Sequence, residues 1–427
     1  MFGWLFITFY ALALAVAPGT RLHAEQFTLN ASYFYPLAGF LLTSIALERA
    51  FSRRLPNRDQ LILPAIQILI GWGILTIWRL SPDLGLKQLI WYFLGAVMLL
   101  LALRLKNLTI TLKRYKYIWL AIGLGLIALT FWVGVNPGGE GPTLWLRFLG
   151  LYIQPSEPLK LLMIIYLSAY FADQIKPNAT IFESILPTLV IIGLAGMMLA
   201  GQRDLGAALI FLGIYGLMLT VTTQRKRFLW LIPLVLVVVS LIGYFALPMV
   251  RARIDIWLHP WQNATGSSYQ LVQAQIATAA GGLTGTGPGL GSPQIVPVAV
   301  SDFIYTAIAE ETGLLGTLGF LLILLILIIR GITAALTAKA TFGRYLAFGI
   351  SAYYALQSFL IIGGNLGLVP LTGVTLPFTS YGGSSLLTNM LSGFLLLKIS
   401  SESTPEGLPE KSRKPHQWMA GLFILLF

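Results

Sequence analysis

Twelve stretches of this chain are apolar over most of the thickness of a bilayer, and few charges interrupt them: Phe2–Ala17, Phe34–Leu47, Leu61–Trp78, Leu89–Leu103, Tyr117–Val135, Pro158–Ala172, Ile181–Ala200, Leu205–Thr222, Leu229–Val250, Phe303–Ile329, Tyr345–Gly363 and Gly383–Ile399. A helix needs about 20 mostly apolar residues to cross a bilayer, because lipid offers no partner for an open backbone. The shorter cores fit tilted spans, snorkelling ends or a re-entrant piece. Charged residues make up 10% of the chain and hydrophobic ones 56%, whereas soluble domains carry about 25% charged residues. The expected fold class is therefore an all-α polytopic membrane protein of about twelve transmembrane helices. The first run has no basic stretch before it and no clean small-residue cleavage site after it, so it is read as a helix and not a signal peptide.

The net charge of +12 does not point to nucleic acid, because the basic residues gather in alternate loops. Arg49, Arg53, Arg54 and Arg58 follow the second run, and Arg104, Lys106, Lys113, Arg114 and Lys116 follow the fourth. Arg225, Lys226 and Arg227 follow the eighth, and Arg330, Lys339 and Arg344 the tenth. The positive-inside rule makes these loops and both termini cytoplasmic. The opposite loops, including a long one between spans nine and ten (Arg251–Ser301), are then extracytoplasmic. The polar tail Ser401–Pro415 is followed by Trp418–Phe427, an apolar run half a span long, read as an interfacial anchor or the start of a further span. With no cysteine and three scattered histidines, thiolate chemistry is excluded and a histidine metal cage is not expected.

The outer loops carry most of the polar chemistry. Before the sixth run stand Trp145-Leu146-Arg147 and Gln154-Pro155-Ser156-Glu157-Pro158-Leu159-Lys160. Glu157 and Lys160, three apart, share a helix face and can pair; a structural pair and a substrate role are equally open. Asp204 in Gln202-Arg203-Asp204-Leu205-Gly206 reads as a helix cap. The long loop holds Arg251, Arg253 and Asp255, then His259-Pro260-Trp261, Ser268-Tyr269-Gln270 and a glycine-rich stretch over 281–292. That stretch reads as an anion nest for a pyrophosphate or as a flexible loop. Asp302, where the loop re-enters the membrane ahead of Glu310-Glu311, reads equally as general base or helix N-cap. The last outer loop, Thr372 to Ser385 and including Ser384, is dense in hydroxyls and reads as a cavity wall or a plain turn.

In order, these elements are W-L-R … Q-P-S-E-x-x-K, Q-x-D-L-G, R … P-W … Y-Q, G-G-L-x-G-x-G … S-D-F-I … E-E-x-G and T-G-x-x-L-P-F-x-S-Y-G-G-S-S, over about Gln88 to Ile399. The set resembles the SEDS family of RodA, FtsW and the sporulation homologue SpoVE. That resemblance implies a glycosyltransferase joining lipid II disaccharides into glycan strands at the outer membrane face. The family's essential Asp falls on Asp302 as general base. Glu157, Lys160, Arg251, Arg253, Gln270 and Ser384 are the substrate-binding candidates. In the implied reaction a GlcNAc 4-hydroxyl attacks the C1 held by undecaprenyl pyrophosphate, inverting α to β, with Arg251, Arg253 or a divalent cation (Mg2+ or Mn2+) aiding departure. The implied partners are lipid II, the lipid-linked glycan and a class B penicillin-binding protein, whose span the run Trp418–Phe427 would begin in a fused chain. Four positions depart from the family pattern: Arg203 for its Pro, Val298 for an acidic residue, His259 in its D-P-W and Ser268 in its G-Y-Q. The family core has ten spans, so residues 1–60 form an added pair, 61–400 the core and 401–427 a cytoplasmic tail.

A lipid II flippase or other carrier is the alternative from another class. It would place charges near the bilayer midplane and show two related halves; here the charges lie at one face and no repeat is visible. An inactive scaffold for a cell-wall partner is the third reading.

Overall fold

The computed structural model describes residues 2–21, 29–137, 139, 142–148, 150–174 and 181–403. Each apolar run but the ninth falls on one long helix. The first half supplies α1 (Phe2–Arg21), α2 (Phe34–Arg54), α3 (Ile62–Leu80), α4 (Pro82–Ala102), the short α5 (Leu108–Arg114), α6 (Lys116–Val133) and α7 (Ser156–Gln174). The second half supplies α8 (Ile181–Gly201), α9 (Leu205–Thr223), α10 (Arg227–Ala246), α11 (Pro248–Leu258), α12 (Tyr269–Ala280), α13 (Ile304–Thr337), α14 (Thr341–Asn365) and α15 (Gly383–Ser401). Among the described residues, 7 of these helices (α3, α4, α6, α9, α10, α13 and α14) are long and apolar enough to cross a membrane. Two of the others carry several charged residues. Helix α2 ends in Arg53 and Arg54, and α7 carries Glu157, Lys160 and Asp173. The tail and the run Trp418–Phe427 lie outside the described residues.

Helices α3, α9 and α14 are mostly buried and form the centre, while α10 is almost bare. Trp230, Leu234, Ile242 and Phe245 point outward from α10, and a helix apolar all round with one bare face requires an apolar solvent. Helix α1 packs on α3: Trp4 Nε1 donates to Gln67 Oε1 (3.1 Å) and the Tyr10 and Thr76 hydroxyls meet at 3.3 Å. At Gly73 of α3 a Cβ would come within 2.4 Å of the Thr379 carbonyl oxygen; this glycine lets the loop between α14 and α15 lie directly on the helix.

The all-α expectation needs one amendment. Leu146–Phe148 (β1) and Leu151–Ile153 (β2) pair antiparallel, Arg147 opposite Tyr152. The ninth run also ends early. Pro248 takes the first position of a new helix and holds Leu247 extended (φ −126°, ψ 111°), so α10 stops at Ala246 and α11 begins as a separate helix.

Helix α13 is broken at Gly313 (φ 64°, ψ −165°), a conformation open to glycine alone. The break frees carbonyls at Glu310 and Glu311, which accept the N–H groups of Thr286 and Gly287 (2.9 and 3.0 Å). Beyond it, the N–H groups of Leu314 and Leu315 donate to the carbonyls of Gly282 and Leu283 (3.0 and 3.1 Å). The glycine-rich loop is thus a backbone splint on a broken helix, and the N–H groups of Thr286 and Gly287 are used up by it. This is how irregular backbone survives away from water.

Candidate active site at the N-terminal end of α13

Asp302 stands two residues ahead of α13. The N-cap position belongs to Phe303 and makes no side-chain cap bond, so Asp302 does not cap this helix. Its segment is held from behind by the loop between α14 and α15. Ser380 Oγ donates to the Ser301 carbonyl (2.6 Å) and the Tyr381 N–H to the Val300 carbonyl (2.9 Å). Asp302 Oδ2 lies 3.7 Å from the point where Gly373 would carry a Cβ, so the bare backbone of that glycine walls the carboxylate. Burial pushes the Asp302 carboxyl above its ordinary value, opposed by a hydrogen bond with Ser301 and by the Arg253 guanidinium. A carboxylate held this way is a better proton acceptor than one in water.

Arg253, on α11, donates from Nη1 to the Thr372 carbonyl (3.3 Å) and interacts with both Asp204 and Asp302. Asp204 caps α9 by accepting the Ala207 N–H (3.1 Å), while its second oxygen accepts Gln154 Nε2 (3.4 Å). Gln154 also reaches Ser156 Oγ (3.1 Å) and donates its N–H to Ser384 Oγ (2.9 Å). Asp302, Arg253, Asp204, Gln154 and Ser384 thus form one constellation at one end of the bundle. It joins the turn before α9, the start of α7, α11 and the loop that leads into α15. A guanidinium presents donors suited to phosphate oxygens, and beside it stands a carboxylate able to take a proton.

Glu157 and Lys160 are buried instead. Lys160 Nζ donates to Glu157 Oε1 (2.8 Å) and to Gln357 Oε1 (2.9 Å) and lies 5.4 Å from the centre of the Tyr353 ring. Gln357 Nε2 passes the connection to the Thr375 carbonyl (2.6 Å), and the Thr375 hydroxyl meets Ser385 Oγ (2.7 Å). The pair therefore reaches the loop between α14 and α15 through a chain of hydrogen bonds. Arg251 is exposed, lies near Asp255 (3.8 Å) and sits over the Tyr244 ring. Two residues from Arg253 on one helix, it faces the other way. Gln270 is exposed on the first turn of α12.

Two departures from the family pattern fall on unusual backbone. Arg203 and Val298 both have positive φ (65° and 57°). Proline cannot adopt that φ, so the turn before Asp204 takes a course that the family's Pro would forbid. Residues that sequence reasoning passed over complete the surroundings. Arg79 donates to the carbonyls of Gly289 and Gly291 (3.1 and 3.3 Å) and stands 3.6 Å from Glu311. Asp204 is the cap that its sequence context predicts, and its contacts with Gln154 and Arg253 go beyond that. Gln154 was visible within a motif but without a role, and Gln357 within an apolar run gives no signal of its own.

The comparisons with known proteins agree with this architecture. A family model described as "Cell cycle protein", covering FtsW, RodA and SpoVE, matches residues 73–405. The peptidoglycan glycosyltransferase RodA of Mycobacterium leprae is 32% identical, over 95% of this chain and 91% of its own. The probable peptidoglycan glycosyltransferase FtsW of Geobacter metallireducens is also 32% identical, over 82% of this chain and 96% of its own. A chain solved in work on the structural coordination of polymerization and crosslinking by a peptidoglycan synthase complex superposes with TM-score 0.69 at 26% identity, over 80% of this chain and 97% of its own. The crystal structure of RodA from Thermus thermophilus shares the fold, with TM-score 0.61 at 23% identity over 82% of this chain and 98% of its own. By the extent of the family match and the identity to these relatives, this chain belongs to the FtsW, RodA and SpoVE family of cell cycle proteins.

Proposed function

We propose that this chain is a peptidoglycan glycosyltransferase that polymerises lipid II at the outer face of the bacterial cytoplasmic membrane. The observation that carries the reading is Asp302: a half-buried carboxylate, held above its ordinary pKa, beside the guanidinium of Arg253. The relatives' names supply the reaction class, and the constellation supplies chemistry suited to it. Asp302 takes the proton of the acceptor's GlcNAc 4-hydroxyl as that oxygen bonds to C1 of the donor. The C1–oxygen bond to undecaprenyl pyrophosphate breaks on the opposite face, inverting the centre, and Arg253 meets the charge that develops on the pyrophosphate. Base catalysis of this kind contributes about 10²–10⁴-fold. Ser384 and Gln154 line the approach, and Arg251 and Gln270 are surface positions that a long glycan can reach. Glu157 and Lys160 support the wall of the site.

The residues do not fit a resident divalent cation. Among the described residues no group of three or more His, Asp or Glu side chains is arranged to hold a metal ion, and Arg253 already interacts with both Asp204 and Asp302.

In this reading all twelve long helices cross the membrane, both termini are cytoplasmic and the segment from Arg251 to Ser301 lies outside. Helices α1 and α2 are an added pair on a core of residues 61–400. The solved synthase complex motivates a partner that crosslinks what this chain polymerises, a class B penicillin-binding protein. The test is polymerisation of purified lipid II by the full chain in nanodiscs, with and without such a partner. Glycan strands that lengthen with time are expected. Protein that binds lipid II and moves it across vesicles, yet forms no polymer under either condition, would overturn the reading in favour of a carrier.

A further inference from the structure

Gln88 lies on α4 inside an apolar helix and is 1% exposed. An amide buried so deeply needs partners at both ends, and it finds them on one short turn. Its Nε2 donates to the Ser380 carbonyl (3.1 Å) and its Oε1 accepts the Gly382 N–H (3.2 Å). One side chain thus bridges two backbone groups two residues apart and fixes the curvature between them.

The opposite side of the same turn grips the segment that carries Asp302. Ser380 Oγ donates to the Ser301 carbonyl (2.6 Å) and accepts the Leu376 N–H (2.8 Å), while the Tyr381 N–H donates to the Val300 carbonyl (2.9 Å). Three residues, Ser380 to Gly382, are therefore clamped from behind by Gln88 and clamp residues 300 and 301 in front. Gln357 holds the far end of the same loop at Thr375. We infer that Gln88 is a positioning residue of the reaction: it sets the place of the Asp302 carboxylate through the Ser380–Gly382 turn. The inference rests on Asp302 being the base.

A shift of about 1 Å in a reacting group can cost about 10²-fold in rate. Gln88→Ala should therefore lower kcat for lipid II polymerisation by about 10- to 100-fold, with KM and lipid II binding close to wild type. Loosening the turn also admits water to Asp302. Burial is what raises its pKa, so the acid limb of the kcat–pH profile should move to lower pH, which a general loss of folded protein would not cause. Ser380→Ala removes the front grip without touching Gln88 and should give the same signature. The double variant should lose little more than the larger single, because both act through one turn. If Gln88→Ala fails to fold, Ser380→Ala alone decides. A wild-type kcat, an unmoved acid limb, or losses in the double variant equal to the product of the singles would overturn the inference. Asp302→Asn assayed beside them separates the two claims. If it polymerises, the base assignment fails. If it is silent while Gln88→Ala and Ser380→Ala run at the wild-type rate, only the positioning role fails.

Discussion

Replacing Lys160 with methionine keeps most of the side-chain volume and removes one charge. In the native protein the ammonium lies 2.8 Å from Glu157 Oε1 and 2.9 Å from Gln357 Oε1, with the two charged side chains 1% and 6% exposed. Glu157 Oε2 makes no hydrogen bond in this arrangement, so Lys160 is its main compensation. Removing one partner of a buried pair costs about 3–5 kcal/mol, because the remaining charge stays out of water. At about 1.4 kcal/mol per tenfold, that is about two to three and a half orders of magnitude in the folding equilibrium. The assay is reversible unfolding of purified protein in mixed detergent micelles, beside thermal melting. Removing both charges, as in Glu157→Gln with Lys160→Met, should restore much of the loss, since the neutral pair leaves no charge uncompensated. A Lys160→Met protein of wild-type stability but without activity would refute this reasoning and place the ammonium on substrate instead.

Gly313→Ala should destabilise by about 1–3 kcal/mol from backbone strain alone, and by more because its Cβ would lie 2.2 Å from the Gly285 nitrogen; wild-type melting would contradict the splint. Arg253→Ala removes a group that lowers the Asp302 pKa, so the pKa rises further, the base ionises only at higher pH, and the acid limb of kcat moves upward; an unmoved limb would uncouple the two. The chain has no cysteine, so single cysteines at Asn136, Arg251 and Leu368 should react with an impermeant thiol reagent on whole cells, while those at Arg225 and Lys339 should not; the reverse pattern would invert the topology.

The long helices were legible because apolar runs are the direct imprint of lipid as solvent. The hairpin at Arg147 and the helices α11 and α12 were not, since short polar segments carry weak periodicity. Glu157 and Lys160 were legible as a pair from spacing alone, but spacing could not say whether the pair was open or closed. That depended on Gln357, two hundred residues further on. Asp302 lost its capping alternative only once α13 was seen to begin at Ile304. The glycine-rich loop was the sharpest divergence. Its composition suits an anion nest, yet Thr286 and Gly287 donate to the carbonyls freed at Gly313, a partnership that no local pattern encodes.

The proposed chemistry turns on the Asp302 carboxylate, and Asp302→Asn tests it with the least disturbance, since the amide keeps the volume and much of the hydrogen bonding but cannot accept the proton. Polymerisation of lipid II by the purified variant is to be measured beside its melting curve and its lipid II binding. Normal melting and binding with polymerisation reduced by about 10²–10⁴-fold is the predicted result. Substantial polymer from Asp302→Asn would contradict the account and turn attention to Asp204, the other carboxylate beside Arg253.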